Sequence, residues 1–373
     1  MGMSNDAQRP EWVPKDAGRE FATSVMAGVP PPARVASRPG ARRKPPGVDE
    51  LVKGIFEGER SLVSRAITLV ESNAPAHRPI AREILQRIGE RPGFARRVGI
   101  SGVPGAGKST FIEAMGNHLC DAGHRLAVLA VDPSSSLTRG SILGDKTRME
   151  TLSRREECFI RPSPSSGALG GVTRKTRETI AVCEAAGFDI VLIETVGVGQ
   201  SEIAVRAMVD CFLLILIAGA GDELQGMKKG IFEIADVLLV NKADGENRIR
   251  AAATRLEFER VMHYLSPATE GWEPPVLAAS SVTREGVPDV WLAVEKYFAH
   301  VEADGAFERR RSEQAIAWWQ SLVEQELRAR FLADPEIAAF SAQLEREICA
   351  NRLAPSLAAE ELLSKAGLPP HRQ

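Results

Sequence analysis

The densest chemistry in the sequence is the string GVPGAGKST, Gly102 to Thr110. It fits GxxxxGK followed by Ser, a pattern in which a glycine-rich turn wraps backbone N–H groups around a phosphate. In that reading Gly102, Val103, Pro104, Gly105, Ala106 and Gly107 form the loop, Lys108 supplies a point charge, and Ser109 and Thr110 open a helix. The Ser109 hydroxyl is placed to ligate Mg²⁺. A second string, NKAD, carries Asn241, Lys242 and Asp244 directly after the apolar run VLLV. An aspartate there accepts hydrogen bonds from the N1–H and the 2-amino group of guanine, whereas adenine has neither donor in that place and leaves the carboxylate unpaired. GTP and GDP are therefore the favoured ligands. Ser280, Ser281 and Val282 follow the run VLAA and sit at the next strand end, in position to close a base pocket.

Acidic groups end two further runs, Asp132 after RLAVLAV and Glu194 in DIVLIET, and Asp145 lies in the polar stretch RGSILGDKTRM. Hard cations take carboxylate and water oxygens, so the predicted metal shell is Ser109, Asp132, Asp145 and Glu194. Two stretches, DPSSSLTRGSILGDKTRM and RPSPSSGALGGV, read as polar loops, the second packing near the nucleotide or bridging two elements. GDELQGMKKG places Lys228 and Lys229 after the run LLILIAGA.

The elements that must hold these groups follow from patterning. The runs RVGI, RLAVLAVD, DIVLIET, CFLLILIAGA, DVLLVNKAD and PPVLAASS alternate with helical stretches. Continuous Val/Ile/Leu runs are what strands covered on both faces look like, and helices between them imply parallel βαβ units. The expected fold is a doubly wound α/β domain over residues 96–300. Residues 1–45, rich in Pro, Arg, Ala and Gly, read as a disordered arm, 46–95 as a helical lead-in, and 301–373 as helices broken at Pro335 and Pro355.

The chain has 373 residues, and its 47 Lys+Arg against 49 Asp+Glu give a net charge of -2, so nothing argues for nucleic acid or an anionic membrane as a partner. The longest apolar run, Phe212 to Ala220, is about half of what a membrane span needs. Five cysteines without a CxxC pair point to a reducing compartment. The start lacks the pattern of a secretory signal, and Asp6, Glu11, Asp16 and Glu20 sit where transit peptides avoid acids, so a cytoplasmic location is expected.

Taken in chain order, GVPGAGKST, VDPSS, TRGSILGDKTRM, RPSPSSGALGGV, ETVGVGQSE, AGAGDELQGMKKGI and NKADG resemble the MeaB/ArgK family of GTPases, which includes the methylmalonic aciduria type A protein. The likeness spans about residues 48 to 300. It implies a SIMIBI-class phosphate-loop fold and a GTPase chaperone for an adenosylcobalamin-dependent acyl-CoA mutase, gating cofactor loading and helping to exchange damaged cofactor. A cobalamin adenosyltransferase is a further candidate partner. It also implies that Lys108 and Ser109 hold phosphate and Mg²⁺, that Asp132, Asp145 and Glu194 organise metal and water, and that Gln200 responds to the γ-phosphate. Lys228 matches a lysine that enters the nucleotide site when the partner binds. The C-terminal helices look like a homodimerisation arm that Trp318 and Trp319 are placed to anchor.

With no arginine finger evident, basal hydrolysis is expected to be slow and the client to accelerate it. The chain has no DxHxxG string, so no tightly bound cobalamin of its own is expected. Other readings remain. A nickel-inserting GTPase would carry a Cys/His cluster, whereas His77, His118, His124, His263, His300 and His371 are scattered. A kinase or transport ATPase is disfavoured by NKAD, and a scaffold that senses nucleotide without turnover is the third.

Overall fold

An uninterrupted Val/Ile/Leu run has no polar face to give to water, so it is stable only as a strand covered on both sides. The computed structural model describes residues 45–91, 94–132, 149–164, 169–195, 201–218 and 230–368. Asp145, Gln200 and Lys228 lie outside these residues. Contacts separate Met1–Pro46 from Gly47–Gln373, and every element below belongs to the second unit.

The six apolar runs form β1 (Arg96–Gly102), β2 (Leu126–Asp132), β4 (Ile190–Thr195), β5 (Cys211–Ile217), β6 (Val237–Asn241) and β7 (Val276–Ala278). With β3 (Cys158–Pro164) they make one parallel sheet of order β3-β2-β4-β1-β5-β6-β7. The chain moves from β1 outward to β2 and β3, returns to β4, and then passes β1 to build β5, β6 and β7. Such a reversal opens a crevice at the carboxyl ends of the central strands, where ligands of doubly wound sheets bind.

β3 corrects the sequence reading, which took its second half as part of a polar loop. Its register runs from Leu126 opposite Cys158 to Asp132 opposite Pro164. As an edge strand it pairs on one side only, and that is where Pro162 and Pro164 are tolerated. Its last residues, from Leu169 on, open helix α5 (Leu169–Ala185), across Gly170 and Gly171.

Helices α1 (Val48–Phe56), α2 (Arg60–Val70) and α3 (Arg78–Gly89) precede the sheet. The buried Val63, Ala66, Ile67 and Val70 of α2 recur at helical spacing, so one stripe faces inward. α4 (Lys108–Asp121) follows β1, α6 (Ser201–Arg206) follows β4, α7 (Gly230–Glu233) precedes β6, and α8 (Arg248–His263) and α9 (Val287–Ala303) flank β7. Beyond them come α10 (Ala306–Ala333), α11 (Pro335–Cys349) and α12 (Pro355–Lys365). Proline suits the first turn of α11 and α12 because its missing N–H would find no partner there. The Asp334 carboxylate accepts the Glu336 and Ile337 N–H groups at 2.8 and 3.2 Å and so caps α11.

α10 is tied down at its start and bare further on. Asp210, 2% exposed, accepts both ends of the Arg311 guanidinium at 2.9 and 2.7 Å and the Arg97 N–H at 2.9 Å. Arg97 in turn forks onto Glu184 at 2.8 and 2.9 Å, and Arg310 donates to the Asp210 carbonyl at 2.9 Å. The network sits at the amino ends of β1 and β5, the side of the sheet away from the phosphate-loop string. Removing one member of a buried charge network strands the others. Asp210→Ala is therefore expected to lower the unfolding free energy by about 3–5 kcal/mol in a urea titration, and a loss below about 1 kcal/mol would show that the network is solvent-screened instead.

Candidate nucleotide site

The phosphate-loop string joins the end of β1 to the start of α4, the strand–turn–helix context that the motif requires. Glycine is needed at both of its ends. Gly102 has φ +154°, and a Cβ on it would lie 2.2 Å from the Ile215 carbonyl oxygen of β5. Gly107 has φ +81°, and a Cβ there would lie 2.8 Å from the Asn241 amide nitrogen. Val103 and Ala106 are buried, while Pro104, Gly105 and Thr110 face solvent.

Lys108, at the head of α4, is 9% exposed. Its ammonium donates to the Gly102 carbonyl at 2.9 Å and the Val103 carbonyl at 3.2 Å. Burial lowers its pKa, and the carboxylates of Glu194 and Glu202 oppose that shift. Glu194, 5% exposed at the end of β4, accepts the Ser109 hydroxyl at 2.8 Å. Beside it the Thr195 hydroxyl donates to the Ser101 hydroxyl at 2.8 Å, tying the ends of β4 and β1. Asp132 closes β2 at the same edge of the sheet, one position beyond the Val131–Thr195 pair.

The NKAD string is fastened to the phosphate loop by one side chain. Asn241, 1% exposed at the end of β6, donates its amide to the Ala106 carbonyl at 2.8 Å. Its oxygen accepts the Ser281 hydroxyl at 2.8 Å and the Ser281 N–H at 3.3 Å. Lys242 adopts φ 60°, an uncommon left-handed conformation for a residue with a side chain, and its stem lies over Gly107. Asp244 accepts the hydroxyl of Ser280, whose oxygen also receives the Thr283 N–H at 3.1 Å. Val282 is 79% exposed at the rim.

The structure thus brings Gly102–Ser109, Glu194, Asn241, Asp244, Ser280 and Ser281 to one edge of the sheet. Asp145, Gln200 and Lys228 lie outside the described residues. Sequence reasoning passed over Glu202 and the Thr195–Ser101 pair. Glu202 stands in the quoted string ETVGVGQSE, yet nothing in its neighbours signals that a carboxylate on so short a helix is 4% exposed and bears on Lys108.

Residues 63–336 match the profile of the family described as "Methylmalonyl Co-A mutase-associated GTPase MeaB". The chain belongs to the MeaB family of GTPases. Similar proteins include a probable GTPase of Mycobacterium tuberculosis, 50% identical over 321 residues that span 86% of this chain and 96% of that protein. The GTPase ArgK of Escherichia coli is 42% identical over 313 residues, 84% of this chain and 95% of its own. The mitochondrial methylmalonic aciduria type A homolog of Mus musculus is 44% identical over 326 residues, covering 85% and 79% of the two chains. A crystal structure described as an LAO/AO transport system kinase superposes with a TM-score of 0.69 at 35% identity, over 86% of this chain and 97% of that one. This MeaB-family chain is accordingly a GTPase with a phosphate-loop architecture.

Asn241 is the joint between the two halves of the site. Asn241→Ala leaves the Ala106 carbonyl and the Ser281 N–H without their partner, each worth about 1–3 kcal/mol when buried. The expected result is a lower melting temperature for the nucleotide-free protein together with at least about tenfold weaker binding of a fluorescent GDP analogue. Unchanged binding would mean that the base loop and the phosphate loop are positioned independently.

Proposed function

We propose that the protein is a Mg²⁺-dependent GTPase that acts as a chaperone for an adenosylcobalamin-dependent acyl-CoA mutase, gating cofactor loading and protecting the loaded enzyme. The observation that carries the nucleotide part is the Asn241 bridge, which holds an aspartate able to read guanine at a set distance from a lysine able to hold phosphate. The client is suggested by membership of a family described as mutase-associated.

The donors fit a hard cation. Ser109 and Glu194 present only oxygen, already 2.8 Å apart, and Asp132 closes the neighbouring strand, with Asp145 as the fourth candidate. When bound, Mg²⁺ supplies charge neutralisation at the β- and γ-phosphates. The chain's own residues do the rest. Gly102 to Gly107 enclose the phosphates with backbone N–H groups, and Lys108 exchanges its loop carbonyls for phosphate oxygens, stabilising charge on the leaving diphosphate. Asp244, oriented by Ser280, accepts from the guanine edge while Ser281 and Val282 border the base. Gln200 and Lys228 are proposed to complete the site around the γ-phosphate. Basal turnover is slow in this reading because the described residues commit no arginine to the phosphates, and the client accelerates it. Cobalamin stays with the client or with the adenosyltransferase that loads it.

The arm supports a homodimer. Ile316, Trp319, Val323 and Leu327 of α10 are 56%, 62%, 40% and 63% exposed and recur at three- and four-residue spacing. A second copy offering the same stripe would bury it as a helical seam. No helix among the described residues is long and apolar enough to cross a membrane. Cys120, Cys158, Cys183 and Cys211 are buried free thiols, with burial raising Cys158 to about 12, which suits the reducing cytoplasm proposed as its location.

Single-turnover GTP hydrolysis, measured alone and with candidate acyl-CoA mutases added one at a time, tests the proposal with Lys108→Ala as the blank. One mutase is expected to raise the rate by at least about tenfold, and equal rates with every mutase would contradict the chaperone role. Leu327→Glu is expected to convert a dimer to a monomer by light scattering without changing nucleotide affinity. An unchanged mass would place the dimer contact elsewhere.

A further inference from the structure

A cavity of about 490 Å³ opens where α2, α3, α5 and α10 meet. Small-molecule sites commonly have that size. Val70 at the end of α2, with Ala81 and Leu85 of α3, gives it an apolar floor that packs on the core. Among the described residues it shares no lining with the nucleotide site.

Four cations line this cavity from two helices. Arg78 and Arg82 stand one turn apart on α3, and Arg174 and Lys175 are consecutive on α5. Arg174 donates to Glu178, 8% exposed, at 3.0 Å. Among the described residues Arg78, Arg82 and Lys175 make no hydrogen bond and no ion pair. Burial lowers the Lys175 pKa, and the Glu71 and Glu178 carboxylates oppose that shift, so the ammonium has lost water without gaining a contact. From α10 comes Glu326, paired with Arg330 at 2.8 Å and held below the usual carboxylate range by that pair, with Arg78 and Arg174 adding to it. Four cations against the two lining carboxylates, Glu178 and Glu326, leave an excess of two positive charges. Like charges one turn apart destabilise a helix, and cations on a convex surface separate into water. These converge instead on a concavity with an apolar floor, whose low-dielectric walls focus their field and concentrate anions.

We propose that this cavity is a second ligand site, separate from the nucleotide site, that binds an organic phosphate. Its phosphoryl groups meet Arg78, Arg82 and Lys175, and its organic part lies on Val70, Ala81 and Leu85. Guanidinium groups suit phosphoryl oxygens because they can donate two parallel hydrogen bonds. Glu326 is the competing anion, since a ligand that takes Arg78 and Arg174 as counter-ions repels its carboxylate. Two sources carry this chemistry, a free nucleoside diphosphate and the phosphorylated nucleotide end of coenzyme A, the acyl carrier in the substrate of the proposed client.

Titration calorimetry on the full chain, with Mg²⁺ and excess GDP present so that the nucleotide site does not take the probes, tests the proposal with coenzyme A, ADP and inorganic pyrophosphate. Coenzyme A or ADP is expected to bind with a Kd below about 100 μM and at least about tenfold more tightly than pyrophosphate. The tighter of the two names the source, and equal affinity places recognition on the adenosine diphosphate portion they share. Replacing both exposed arginines, Arg78→Ala with Arg82→Ala, is expected to weaken binding at least about tenfold, and Lys175→Gln to weaken it in the same direction. Melting temperatures of the variants control for folding. Glu326→Gln is expected to tighten binding about twofold or more, a gain that a merely structural role for that carboxylate would not produce. No binding of either organic phosphate, pyrophosphate binding as tightly as both, or unchanged affinity in the arginine variant overturns the proposal, as does weaker binding by Glu326→Gln.

Discussion

A buried ammonium has to be neutralised, and at Lys108 that requirement organises the surrounding structure. The side chain sits at the positive end of the α4 dipole and at 9% exposure, so burial and the helix both act against its charge. The Gly102 and Val103 carbonyls and the charges of Glu194 and Glu202 offset them. Each of those groups depends on a different element: β1 for the carbonyls, β4 for Glu194 and α6 for Glu202. Phosphate is the ligand that satisfies such a cation without help from the protein's own carbonyls, which is why the loop, the strand ends and the following helix meet at one point.

Much of this was legible in the sequence because the responsible signals are local. A GxxxxGK string needs a strand before it and a helix after it, and RVGI and STFIEAMGNHL supply both within a few residues. The six apolar runs that build the sheet are unambiguous because a parallel strand has no polar face. β3 was hidden for the converse reason. An edge strand needs hydrogen bonds on one side only, so Arg161, Pro162 and Pro164 carry the texture of a loop. Glu202 was hidden because its burial is imposed by packing between α6 and the sheet, which no spacing of neighbouring residues encodes. The Asn241–Ala106 contact is likewise tertiary, joining positions 135 residues apart. The roles of Gln200 and Lys228 rest on resemblance alone, and that of Asp145 on its carboxylate chemistry together with the same resemblance.

The two ends of the sheet divide the work. Carboxyl ends hold the groups suited to phosphate and base, and amino ends hold the Asp210–Arg311 and Arg97–Glu184 network that fixes the root of α10. Between them runs α6, with the buried Glu202 at one end and, at the other, the Arg206 carbonyl 3.4 Å from the Gln314 amide of the arm.

The claim on which everything else depends is that Asn241 joins a phosphate-binding loop to an aspartate that reads guanine. Competition between GTP and ATP for the site, measured by equilibrium binding to the native protein and to Asp244→Ala, tests it most directly. A site built to satisfy the carboxylate should favour GTP over ATP by about 100-fold or more, and the variant should lose most of that preference. Equal affinity of the native protein for the two nucleotides would contradict it.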